Sequence, residues 1–145
     1  MLLTKLSISA AIAKQISEKA QEEAKKNNLA ISIAIVNEAG HLVYFIKMDS
    51  STNASGDIAI AKAQHAVNYQ RDTKYHEDFL KQGQLRVLAL PNTLSIEGGV
   101  QLMYDGKLIG AIGVSGAAAV DDGKIAMAGA ELLAILTLTI TPSEI

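Results

Sequence analysis

A chain of 145 residues that is 49% hydrophobic is long enough for one domain with a buried core and leaves little room for a second. Its 13 basic and 15 acidic side chains nearly cancel without any basic block, which argues against nucleic acid or an anionic membrane as partner. Cysteine is absent, so disulfides, thiol nucleophiles and thiolate metal sites are excluded.

Met1-Leu2-Leu3-Thr4-Lys5-Leu6 lacks the apolar stretch and small-residue cleavage site of an export signal, and no run is long enough to span a bilayer. A cytoplasmic location is the expectation. Aromatic residues make up only 4% of the chain and Trp is missing, so the core must be aliphatic. Aliphatic surface left over on helix and sheet faces is what a homo-oligomer would bury.

Ser7 or Ser9 can cap a first helix, in which Ile8, Ile12, Ile16, Ala20 and Ala24 recur every fourth residue until Asn27-Asn28. Residues 30–36 and 42–48 read as a hairpin around Asn37-Glu38-Ala39-Gly40. A polar loop follows over 50–56, and Asp57 is placed to cap a second helix through Ile58, Ala61, Ala66 and Tyr69. The charged segment 71–84 suggests a short helix with loops, and Pro91-Asn92 breaks the chain before a short strand over 93–96. A second hairpin joins 100–104 to 107–114 through Asp105-Gly106. Asp121 or Asp122 then caps a closing helix through Ile125, Ala128, Leu132 and Leu136. Hairpins in place of parallel crossovers predict an α+β domain, an antiparallel sheet covered by helices.

Six glycines punctuate residues 98–116, from Gly98-Gly99 through Gly106, Gly110 and Gly113 to Ser115-Gly116. Backbone amides and a helix start converge there, which suits an anion or polar ligand. Close strand packing explains the same glycines equally well. Of the three histidines, His41 stands at a hairpin turn, His76 falls in the charged segment and reads as solvent-facing, and no paired-histidine spacing suggests zinc. Lys62, His65 and Tyr69 share one face of the second helix, either lining a pocket or forming a solvated side. On the solvated reading, Lys62→Ala leaves the fold intact. Asp49, Glu97, Asp121 and Asp122 are the notable carboxylates, Asp122 foremost as a cap. No nucleophile elbow, phosphate loop or dinucleotide fingerprint is present.

Taken together, Ile35-Val36-Asn37-Glu38-Ala39-Gly40-His41-Leu42, Lys47-Met48-Asp49, Ile58-Ala59, Lys62-Ala63, Gly98-Gly99 and Gly110-Ala111-Ile112-Gly113-Val114-Ser115-Gly116 followed by Asp122 resemble the GlcG/HbpS-like family. The likeness runs from about Leu6 to Leu133, making residues 1–145 a single domain of that type. It implies a profilin-like, five-stranded antiparallel sheet flanked by helices in a homo-oligomer. Family members include heme-binding proteins, proteins found with glycolate-utilisation genes, and the C-terminal domain of PduO-type cobalamin adenosyltransferases. The chain has Asn37 where the family usually has Asp, Lys47 where Arg is common, and His65 where Thr is usual.

The resemblance implies a small ligand-binding protein for heme, a corrinoid or a small carboxylate metabolite, accessory to glycolate- or diol-type catabolism. In that reading Lys62 pairs with a ligand carboxylate, His65 ligates heme iron, and Gly98, Gly99, Gly113, Ser115 and Gly116 line a pocket between the second helix and the glycine-rich hairpin. The alternative is a cofactor-independent lyase or isomerase of a small hydroxy or oxo acid, with His65 as general base, Lys62 binding substrate, and Asp49 or Glu97 assisting.

Overall fold

Local sequence signals place most of the elements. The Ser9 hydroxyl accepts the Ile12 N–H at 3.2 Å, so α1 (Ala10–Lys26) starts at that cap, with Ile12, Ile16, Ala20 and Ala24 forming its buried stripe. The Asn37 side-chain oxygen accepts the N–H groups of Ala39 and His41, both at 3.0 Å, closing the turn between β1 (Ser32–Asn37) and β2 (Leu42–Lys47). Asp105 and Gly106 both have positive φ, 49° and 72°, which is the geometry that matches the twist of β3 (Gly99–Tyr104) and β4 (Lys107–Ser115). The computed structural model describes residues 1–139.

The second helix, α2 (Asn53–Tyr69), begins four residues before the expected Asp57, with Thr52 as its N-cap residue. The Ser55 hydroxyl explains the difference: it donates to the Thr52 carbonyl at 2.7 Å and lies 2.7 Å from the buried Ser32 hydroxyl, drawing the polar stretch into the first turn. α3 (Thr73–Lys81) and a 3-10 turn (Leu85–Ala89) follow, and α4 (Ala119–Thr139) closes the described chain.

The sheet is antiparallel throughout, in the order β2-β1-β4-β3. It therefore has four strands among the described residues and not five. Residues 93–96 do not add a strand, because the Leu94 N–H is taken by a His65 ring nitrogen and the Ile96 N–H by the Leu94 carbonyl. Ile33, Ile35, Ile112 and Val114 enter one core with α1 and α4, while Val36 and Ala111 meet Ala63, Ala66 and Val67 of α2 on the opposite face. Helices thus cover both faces of the sheet. Small residues at the second interface bring α2 so close that a Cβ on Gly113 would overlap the Ala59 carbonyl oxygen, and one on Gly99 the Lys62 carbonyl oxygen.

Candidate functional site

Lys62 and His65 do not form a solvated helix side. They are 2% and 0% exposed, because this face of α2 is turned inward. Lys62 Nζ donates to the Val114 carbonyl at 2.9 Å and to Asp122 Oδ2 at 3.1 Å. α4 starts at Ala119, so Asp121 and Asp122 lie inside its first turn and do not cap it; Asp122 Oδ1 instead reaches back to accept the Ala117 N–H at 3.0 Å while Oδ2 holds the ammonium. Burial pushes the Asp122 carboxyl above its ordinary value, against the pull of Lys62 and the Ala117 N–H. Gly98, at φ +133°, lies against the Lys62 side chain so closely that a Cβ would stand 2.7 Å from Nζ. The pair is sealed.

Three residues further along α2, His65 begins a different arrangement. Its Nδ1 accepts the Leu94 N–H at 2.9 Å, and its Nε2 lies 2.8 Å from Nδ1 of His76 on α3. A backbone N–H can only donate, so His65 Nδ1 must offer a lone pair and the ring proton of the neutral imidazole sits on Nε2. That proton is donated to His76 Nδ1, which leaves His76 with its own proton on Nε2. The chain of donors fixes both tautomers. Adding a proton to either acceptor nitrogen breaks a hydrogen bond, and burial acts in the same direction: desolvation first, then the neighbouring His76, lower His65 from 6.5 to about 4. His76 is lowered too, by burial and then by Arg71.

His76 is 7% exposed, a correction to its expected solvent-facing place in a charged segment. Tyr75 and His76 meet edge to face at 5.2 Å between ring centroids, and Tyr75 and Phe79 at 4.8 Å. These three residues line a cleft of about 310 Å³ with Arg86, Val87 and Leu90 of the 3-10 turn and its exit. His76 Nε2 has no hydrogen-bond partner among the described residues and is not sealed from solvent. The cleft is held in place from α2: His65 binds Leu94 and the Tyr69 hydroxyl donates to the Pro91 carbonyl.

Within the glycine-rich segment, several glycines admit close packing. Gly113 lies in β4 between β1 and β3 with α2 directly against it, and a Cβ on Gly116 would stand 2.8 Å from the Ala30 carbonyl oxygen. Ser115 is buried opposite Ser32. At Gly99 and Gly113 the space between α2 and this hairpin is therefore taken by the helix itself, while Gly116 is exposed. Asp49 is exposed beyond β2, and Glu97 packs on Gly123 with its carboxyl raised by burial and then by Glu77; neither bonds to Lys62 or His65. Sequence reasoning singled out His65 and missed its partner. The available signal was the spacing of Tyr75, His76 and Phe79, which puts two aromatic rings and an imidazole on adjoining positions of one short helix.

The family model described as "Haem degrading protein HbpS-like" matches residues 8–131. The chain belongs to the HbpS-like family. It is 38% identical over 112 residues to Protein GlcG of Escherichia coli K12, covering 77% of this chain and 84% of that protein. Among solved structures of this family type, a double-mutant form of Streptomyces reticuli HbpS superposes with a TM-score of 0.83 at 28% identity, covering 91% of this chain and 90% of that one. A PduOC:heme complex superposes with a TM-score of 0.78 at 25% identity, covering 87% and 94% of the two chains. Among the described residues, no helix is long and apolar enough to cross a membrane, and no group of three or more His, Cys, Asp or Glu side chains could hold a metal ion.

Proposed function

We propose that this HbpS-like chain is a ligand-binding protein whose binding place is the cleft between α3 and the 3-10 turn. The observation that carries the reading is His76: a nearly buried imidazole, oriented through one nitrogen by His65, with its other nitrogen unpartnered among the described residues on an aromatic wall. Neither Asp49 nor Glu97 stands in hydrogen-bond contact with His65 or Lys62, so the acid–base constellation of a lyase or isomerase finds no support.

Heme is the ligand to which the family points, and the residues fit its periphery better than its iron. Tyr75 and Phe79 offer ring contact, and Arg86 a cation for a propionate. Both His65 nitrogens are engaged, and His76 carries its proton on the nitrogen it turns to the cleft, so neither imidazole of this pair presents a lone pair to a metal. His65 acts on this reading as the positioning residue of His76, and Lys62 as a structural cation. A homo-oligomer is supported by exposed Leu42 and Phe45 on β2 and by Met127, Ile135 and Leu138 on α4. An accessory role in small-molecule catabolism of the glycolate or diol type rests on the family resemblance alone.

Hemin titration followed at the Soret band, with light scattering for subunit number, tests this. The expected result is saturable binding weakened at least tenfold by Phe79→Ala and Arg86→Ala, without the spectrum of nitrogen ligation. Affinity indifferent to both substitutions rejects the cleft as the site.

A further inference from the structure

We infer that the group recognised in this cleft is a carboxylate, received by the Nε2–H of His76 with arginine as its charge partner. The inference rests on the cleft being the binding place. The donor chain Leu94 N–H to His65 to His76 leaves Nε2–H as the one polar group directed out of the His76 ring, and an N–H held in that form selects an acceptor oxygen.

The charges around the cleft select an anionic acceptor over a neutral one. On α3, Asp78 is paired with Lys74 at 2.7 Å and Glu77 with Lys81 at 3.9 Å, so its acids are already matched. Arg71 and Arg86 are not: among the described residues their guanidiniums bond only to the Gln70 carbonyl and the Gln84 side-chain oxygen, and neither has an acidic partner. Arg86 lines the cleft, and Arg71 lies 4.9 Å from the centre of the Tyr75 ring that forms its wall. An unmatched arginine in the lining, a second on the Tyr75 ring, a fixed N–H from His76 and apolar Phe79, Val87 and Leu90 in the same lining describe a receptor for a carboxylate attached to a flat or apolar body. A cavity of about 310 Å³ is at the small end of ligand sites, which suits a small organic acid or one carboxylate arm of a larger molecule.

The test uses benzoate and benzamide as small probes, and hemin and its dimethyl ester as large ones. Calorimetric titration is expected to show benzoate binding at least tenfold tighter than benzamide, with His76→Phe losing the preference and His76→Gln, which still donates an N–H, keeping most of it. If hemin binds tenfold tighter than its ester while benzoate does not bind, the carboxylate belongs to the tetrapyrrole; if benzoate binds and the two hemins are equal, it belongs to a small acid. Acid and neutral forms binding alike in both pairs, with Phe79→Ala still weakening them, overturns the carboxylate and leaves the cleft. Failure of all four probes to bind sinks both. Independently of any ligand, long-range proton–nitrogen spectra of the free protein at pH 7 should show both imidazoles protonated on Nε2, and an Nδ1–H form of His76 overturns the inference.

Discussion

Lys62–Asp122 and His65–His76 leave the same helix less than a turn apart and finish in opposite circumstances. The first runs under the sheet edge into α4, where Val114, Ala117 and Gly98 close around it. The second runs outward through α3 and ends on a cleft wall with one nitrogen unpartnered among the described residues. Both are buried polar pairs, yet only the second has capacity left for another molecule. Burial and charge do not make a site by themselves; an unsatisfied donor at an accessible edge does.

The contrast is sharpest where α2 approaches the sheet. Gly113→Val places side-chain atoms into the Ala59 carbonyl and the Ala63 nitrogen, both backbone groups that cannot turn aside. No folded protein is expected, by circular dichroism and amide spectra; a cooperative melt near that of the wild type contradicts this packing. The next largest effect is on the sealed pair. Lys62→Ala strands the Asp122 carboxylate in the interior and should cost about 3–5 kcal/mol, against the tolerance expected of a solvated face. The double variant Lys62→Met, Asp122→Leu should recover most of that loss in denaturant titration, since the charge that needed a partner is gone. A Lys62→Ala variant within about 1 kcal/mol of wild type refutes the structural assignment.

Much of this arrangement was legible before the structure, and the failures share a cause. The hairpins, the Ser9 cap and the Asp105-Gly106 turn are local signals, and each appears where local chemistry places it. The fate of Lys62 depends on Asp122, sixty positions away, and that of His65 on Leu94 and His76. A helix with polar residues on the face it buries looks, in sequence, like one that shows them to water. The glycines misled in the complementary way: a residue without a side chain marks close approach, and the sequence does not say whether a ligand or a helix is the visitor.

His65→Ala separates the two ends of the open pair. It removes the acceptor of the Leu94 N–H and the donor to His76 Nδ1, leaving two polar groups short of a partner, at a cost of about 2 kcal/mol. The loosened segment should be 90–96, detectable as faster proteolysis there than in α1. His76→Phe, which fills the same wall with a ring but leaves the buried His65 Nε2–H without an acceptor, should cost about 1 kcal/mol, less than His65→Ala, and act mainly on ligand affinity. Equal destabilisation by the two would make His76 structural.

The smallest expected effect, and the one that sets the two pairs against each other, is pH. His65 has a folded value of about 4 against an ordinary 6.5, so the native state excludes a proton that the unfolded chain accepts. Its contribution is complete above 6.5 and is lost as pH falls through that window toward 4. Asp122 has the opposite sign: its raised value makes the native state the better proton binder, so its contribution is present in acid and declines as pH rises through its folded value. Acid lability between these limits therefore belongs to the imidazoles, with Arg71 adding to it through His76. Melting temperature measured from pH 7 to pH 4 should fall by a few degrees in the wild type. The fall should be shallower in a His65→Phe, His76→Phe variant and steeper in Lys62→Met, Asp122→Leu. A slope unchanged by removing both histidines would detach acid sensitivity from the donor chain, because only a neutral His65 can accept the Leu94 N–H and hold His76 in its donating form.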